Sequence, residues 1–204
     1  MRYVILRAIV IAMKEESQSL GEFNKGINVL DSKNILIITG IGKVNAAIEM
    51  TKAIMNYQIS EVINIGFAGS IKKHHVYDAV LVNRAIQHDV DLTAFGYEKY
   101  QLPEMPIEYK SNEKLLKKMS NLFSFKHDLL YSGDQFITSI NNEDGLYDME
   151  GAALYQVCYI SKVPIISIKI VSDIIGDSSN DFGSFNIIKG SRIISDILKK
   201  IIGG

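Results

Sequence analysis

The chain has 204 residues, 47% of them hydrophobic and 22% charged, and carries a formal net charge of −1. That balance gives no electrostatic attraction to nucleic acid or to an anionic membrane surface. The length fits one domain, residues 1–204, with room for a core that needs neither disulfides nor metals. A single cysteine, Cys158, excludes an internal disulfide and suits a reducing compartment. Beside Tyr155, Val157 and Ile160 it reads as a small buried hydrophobe and not as a nucleophile.

The N-terminal apolar run is interrupted by Arg7, and Lys14, Glu15 and Glu16 stand where a signal-peptide cleavage site would be. It is therefore expected to be a first strand, and the protein to be cytoplasmic. No apolar run approaches the ~18 residues that a membrane span needs. Four β-branched runs share one design. Residues 8–12 lead into Met13 and Glu16, 34–38 into Thr39 and Gly42, 62–65 into a turn from Gly66 to Gly69, and 163–171 into Ser172 and Asp173. Such runs fit strands buried on both faces, with helices on each side of the sheet.

Helical spacing predicts the covering layers. One helix over 43–57 carries Val44, Ala47, Ile48, Thr51, Ile54 and Met55 as its stripe; others cover 112–122 and 150–160. The last presents Ile187, Ile194, Ile197, Leu198 and Ile201, and is closed by Gly203 and Gly204. Alternating strands and helices predict an α/β fold, a three-layer αβα sandwich with a central mixed, largely parallel sheet. The stretch 88–110 is irregular yet rich in apolar groups, among them Leu92, Phe95, Tyr97 and Pro103. Such a loop would be a sticky patch on a monomer, so a second subunit is expected to cover it.

Open α/β sheets bind ligands beyond the carboxyl ends of their strands. That rule gathers Glu16, Glu150 and Asp173 at one pocket rimmed by glycines, which let backbone approach a ligand closely. Bland alternatives stay open for two of them: Glu15 and Glu16 could offset a helix dipole, and Asp173 could be a helix N-cap. Glu150 sits among small residues where an unpaired carboxylate is expensive, which favours function. His74, His75 and His88 form no convincing ligand set, and Lys72 and Lys73 suggest a solvated turn there. These residues alone define a small-molecule enzyme of hydrolase type.

Longer pieces carry a resemblance: residues 12–16; 40–47; 88–98 with 101–103; 132–137; Met149 and Glu150; Ser172 and Asp173. The segment from Asp91 to Glu98 is the most specific. Nearly end to end, the chain is similar to the 5′-methylthioadenosine/S-adenosylhomocysteine nucleosidases of the purine nucleoside and uridine phosphorylase superfamily. The resemblance implies a nucleoside phosphorylase-like fold. It also implies hydrolysis of the N-glycosidic bond of methylthioadenosine and adenosylhomocysteine, with 5′-deoxyadenosine as a further substrate, releasing adenine. Asp173 would be the general acid at adenine N7, Glu16 the general base for water, and Glu150 the acceptor for the ribose hydroxyls. Met149 would pack on the sugar, Phe136 on adenine, the Ile137 backbone would read its edge, and Phe182 would close the wall. Met13, Ile41 and Ser172 would line the same pocket. Leu92, Phe95 and Pro103 would come from the partner of a homodimer and line the 5′-alkylthio site. No cofactor and no metal is implied.

Departures from the family pattern concentrate on the water-activating half. Phe67 stands where the family has a serine that helps hold the nucleophilic water, and Lys169 replaces an arginine whose planar fork it lacks. The segment between Glu16 and Asn34 is shorter than the norm, and the loop after Asp173 is about one residue short, leaving Phe182 or Phe185 to close the pocket. One alternative is a phosphorylase of the same fold, which needs a glycine, aspartate and arginine phosphate site near the N-terminus. Acidic residues occupy that place, and arginine occurs only at 2, 7, 84 and 192. Another is a nucleoside-binding protein with impaired hydrolysis, which only Phe67 and Lys169 favour.

Overall fold

Alternate residues of the predicted strands face opposite ways, and the two faces build two separate cores. The structure is a computed structural model and describes residues 5–140 and 143–203. Strand β1 (Ile5–Ile11) lies between β3 (Asn34–Ile38) and β4 (Gln58–Ser70), parallel to both. Ala8, Val10, Ile35 and Ile37 enter one core, while Ile9, Ile11, Leu36 and Ile38 enter the other. This two-sided burial is the physical reason for the unbroken apolar runs.

Helices cover both faces, as the sequence predicts. Helix α2 (Lys43–Asn56) and α4 (Gly151–Ser161) pack on the first core through Ala46, Met50, Ala53 and Leu154. Helices α3 (Glu113–Leu122) and α5 (Ile187–Gly203) pack on the second through Leu115, Met119, Ile194 and Leu198. The Asn112 side chain caps α3 by accepting from the Lys114 and Leu115 amides at 3.1 and 3.2 Å. A one-turn helix, α1 (Lys14–Ser17), follows β1 and rests on α5.

The sheet is mixed. Strands β4 and β9 (Ile165–Ile174) run parallel, as do β5 (Ala79–Gln87) with β7 (Lys126–Ser132), and β7 with β8 (Leu146–Asp148). Antiparallel pairings of β9 with β5 and β8 with β4 then close a ring of strands: β4, β9, β5, β7, β8. Strands β2 (Gly26–Val29) and β6 (Glu108–Lys110) add antiparallel edges to β3 and β5.

Four local expectations need correction. The stretch from Gly66 to Gly69 is not a turn: β4 continues through it to Ser70, paired with β9 on one side and β8 on the other. Likewise Ser172 and Asp173 lie within β9 and not beyond its end, and Asp173 caps no helix. The stripe assigned to α2 is largely the wrong face. Ala46, Met50 and Ala53 are buried, whereas Val44, Ile48 and Met55 are exposed. His74 is also no solvated turn residue: it is buried, with Nε2 2.9 Å from Asp128. Among the described residues no helix is long and apolar enough to cross a membrane, and Cys158 is buried, its thiol pushed up to about 12 by desolvation.

Candidate active site

Glu16, Glu150 and Asp173 come together on one cavity of about 340 Å³ at the ends of β1, β4 and β9. Met13, Ile41, Phe67, Phe136, Ile137, Met149, Ser172 and Phe182 line it with them. Each carboxylate reaches the cavity by a different local device.

Glu16 projects from α1 and is held almost entirely by backbone. Its Oε2 accepts from the Ala12 and Met13 amides at 2.8 Å each, and Oε1 accepts from the Phe67 amide at 2.8 Å. Burial raises its pKa, while those three N–H donors and the nearby Lys169 charge oppose the rise. Gly66 makes the fit possible, since a Cβ there would lie 2.5 Å from Glu16 Oε1. Gly66→Ala should therefore displace the carboxylate and lower kcat about 10-fold, with a smaller change in KM. Unchanged steady-state kinetics in that variant would refute the close fit.

Asp173 owes its direction to a β-bulge. Ala68 pairs with Val171 but Gly69 pairs with Asp173, so Ser172 is the extra residue and the alternation of side chains shifts by one. The Ser172 hydroxyl donates to Asp173 Oδ1 at 2.5 Å. Burial raises the Asp173 pKa; the Ser172 bond opposes this, and the charge of Asp181 adds to it. A Cβ on Gly69 would stand 2.9 Å from Asp173 Oδ2. The two glycines of β4 thus make room for one carboxylate each.

Glu150 is the N-cap residue of α4, yet its side chain caps nothing there. Instead Oε1 accepts from the Gly42 amide at 2.8 Å, at the start of α2, where Gly42 has φ +99°. Burial and the neighbouring Asp148 charge push its pKa up to about 8, against the Gly42 donor and Lys169.

Lys169 does not line the cavity. It is buried behind the carboxylates, with Nζ 2.8 Å from Asp148 Oδ2. Desolvation opposes its charge, but Asp148 first, then Glu150 and Glu16, hold its pKa above the usual lysine value. Asp148 also accepts from the Ser132 hydroxyl and, at 3.0 Å, from the Gly151 amide. The sequence placed Ser132 in a matching segment and Asp148 beside Glu150 but assigned neither a role. Their signal was the short spacing of two acids ahead of α4, Asp148 and Glu150, around one buried cation.

The Phe67 ring turns toward α5. It meets Phe185 edge-on with centroids 4.9 Å apart, and a Cβ on Gly190 would lie 2.7 Å from it and 2.5 Å from Phe185. Gly190→Ala should cost about 2 kcal/mol by overpacking, read from the denaturant midpoint; a variant as stable as the parent would contradict it. Phe182, not Phe185, lines the cavity, with its ring 6.1 Å from that of Phe136. Leu92, Phe95 and Pro103 do not line this chain's cavity, and Phe95 is exposed. Among the described residues no cluster of three or more His, Cys, Asp or Glu is placed to hold a metal ion.

An αβα sandwich with a carboxylate-lined cavity at its strand ends defines a class, the small-molecule enzymes of the nucleoside phosphorylase-like fold. The family model described as "Phosphorylase superfamily" matches residues 7–202. A Staphylococcus haemolyticus 5′-methylthioadenosine/S-adenosylhomocysteine nucleosidase is 35% identical over 217 residues, covering 97% of this chain and 94% of the relative. The Colwellia psychrerythraea nucleosidase structure in complex with adenine superimposes with a TM-score of 0.85 at 28% identity, covering 98% of this chain and 95% of that one. A Helicobacter pylori futalosine hydrolase follows with a TM-score of 0.84 at 26% identity, covering 98% of each chain. The chain belongs to the 5′-methylthioadenosine/S-adenosylhomocysteine nucleosidase family of the phosphorylase superfamily.

Proposed function

We propose that this protein hydrolyses the N-glycosidic bond of methylthioadenosine and adenosylhomocysteine, releasing adenine and the 5-thioribose product. The observation that carries this reading is the set of three buried carboxylates on one cavity, each with different hydrogen-bond partners. Glu16, whose three backbone donors and nearby Lys169 oppose the rise that burial causes, is assigned as the base and takes a proton from the attacking water. Asp173, with one hydroxyl donor and a neighbouring acid, is favoured as the neutral acid and gives its proton to adenine N7. The larger donor set on Glu16 than on Asp173 supports this division of base and acid. As the C1′–N9 bond breaks, the ribosyl group acquires oxocarbenium character and the water oxygen bonds to C1′. Glu150 accepts from the ribose hydroxyls, Met149 packs on the sugar, Phe136 stacks on adenine and Ile137 reads its edge. Lys169 acts from behind, balancing the charge of Asp148, Glu150 and Glu16 in place of the family's arginine.

The active unit in this reading is a homodimer. Ile41, Val44, Ile48 and Met55 on and before α2, together with Phe95, leave apolar groups exposed. A second subunit would cover them and bring its Leu92, Phe95 and Pro103 to the 5′ substituent. The same adenine and ribose groups would also accept 5′-deoxyadenosine or an aminodeoxyfutalosine-like nucleoside, because these differ only at the 5′ side. The lone, buried Cys158 fits a cytoplasmic setting.

The test is incubation with methylthioadenosine in phosphate-free buffer, with adenine followed by chromatography. Adenine should appear at an undiminished rate without phosphate. Release that depends strictly on phosphate would make the protein a phosphorylase, and binding without turnover would make it a nucleoside-binding protein.

A further inference from the structure

The function proposed above leaves one buried polar step unused, at Gly190 and Ser191 on α5. Ser191 is fully buried, and its hydroxyl lies between two backbone groups of the α1 segment. It donates to the Glu16 carbonyl at 3.1 Å and accepts from the Ser19 amide at 2.9 Å. These contacts matter because α1 spans only Lys14–Ser17 and cannot satisfy itself. The Leu20 amide bonds to Ser17 at 2.7 Å, so it does not serve the Glu16 carbonyl. Directly before Ser191, Gly190 receives the ring of Phe67, whose own amide is one of the Glu16 donors. One step of α5 therefore seats both partners of the water-activating half: Glu16 by its carbonyl, and Phe67 by its ring.

We infer that Ser191 is a positioning residue for the general base, holding the α1 backbone so that the Glu16 carboxylate faces the attacking water. The inference rests on the assignment of Glu16 as that base. The charged groups near Glu16 are Lys169 on β9 and Glu150 at the start of α4. The α5 step contributes only neutral groups, so Ser191 acts by geometry and not by charge.

Ser191→Ala removes the hydroxyl at little steric cost. It should lower kcat about 10-fold with KM within about two-fold, while calorimetric titration with adenine keeps the parent's stoichiometry and affinity. Ser195→Ala is the control. Among the described residues its hydroxyl bonds only to the Ser19 carbonyl, at 3.3 Å, and the variant should turn over like the parent. A Ser191→Ala kcat within about two-fold of the parent would overturn the inference. So would a fall in kcat matched by an equal fall in adenine-binding sites, or an equal loss in Ser195→Ala, since either would mean general loosening of α1 on α5. Glu16→Gln run alongside separates the two levels. Inactive Glu16→Gln with fully active Ser191→Ala removes only the role of Ser191, whereas parent-like Glu16→Gln removes the base assignment itself.

Discussion

Asp173→Asn should reduce adenine release about 10³-fold while leaving the fold intact. Asparagine keeps the size of the side chain and can still donate a hydrogen bond toward adenine N7, but it has no proton to give up as the glycosidic bond breaks. The site already favours the neutral form: burial, followed by the charge of Asp181, raises the Asp173 pKa against the single Ser172 bond. A neutral amide should therefore be tolerated without a loss of stability, and the thermal midpoint should match or exceed that of the parent. The sign of the pH dependence follows. Asp173 must be protonated to act, so kcat declines on the alkaline side as it ionises, whereas Glu16 must be ionised, so kcat declines on the acid side. Burial raises both groups above the ordinary carboxylate range, which moves both limbs toward neutrality. Parent-like turnover by the asparagine variant would remove Asp173 from the chemistry.

Glu150→Gln is expected to make the protein more stable and less active at once. The Glu150 pKa is pushed up to about 8, first by burial and then by Asp148. A carboxyl raised in this way binds more protons folded than unfolded between about pH 4.5 and 8, so stability falls as pH rises through that window. Glutamine cannot ionise and still accepts from the Gly42 amide, so the decline should flatten. Above pH 8 the variant should exceed the parent by about 2 kcal/mol, a figure kept below the full linkage value because the buried acids and Lys169 titrate together. Activity moves the other way. Glutamine cannot become a carboxylate when the ribose hydroxyls bind, so kcat/KM should fall about 100-fold. Denaturant titrations of both proteins across this pH range, with kinetics at each point, check the two halves independently. A variant less stable than the parent at alkaline pH would contradict the assigned burial cost, and an unchanged kcat/KM would contradict the ribose contact.

Much of the fold was legible because it follows from local periodicity. Residues 34–38 form β3 with the expected bounds, and 112–122 forms α3 with Asn112 as its cap. Strand β5 was not legible, since Asn83 and Arg84 break its apolar run; Arg84 is tolerated at the edge pairing, where it meets Glu108 at 2.6 Å. Strand β7 was hidden by Lys126, His127 and Asp128, and the last of these is made acceptable by His74 from a distant turn. The α2 stripe misled because exposed Val44, Ile48 and Met55 repeat at the same spacing as the buried face.

The candidate site divides along the same line. Sequence by itself determined which strands are buried on both faces, the three carboxylates near their carboxyl ends, and the resemblance that gives each a role. Only the tertiary structure decided their environments. The bulge at Ser172 aims Asp173; Gly66 and Gly69 admit two acids from a strand that reads as a turn; Phe67 faces α5 and so does not stand alone as a blocked water site. Periodicity is set by how neighbouring residues avoid water, and such neighbours lie within one turn or one strand. The proton affinity of a carboxylate is set by desolvation and by donors that arrive from elsewhere. The Phe67 amide reaches Glu16 across 51 positions, Gly42 reaches Glu150 across 108, and Ser191 reaches Glu16 across 175. No local pattern encodes such separations, so the acids were readable from the chain but the hydrogen-bond donors and desolvation that set their proton affinities were not.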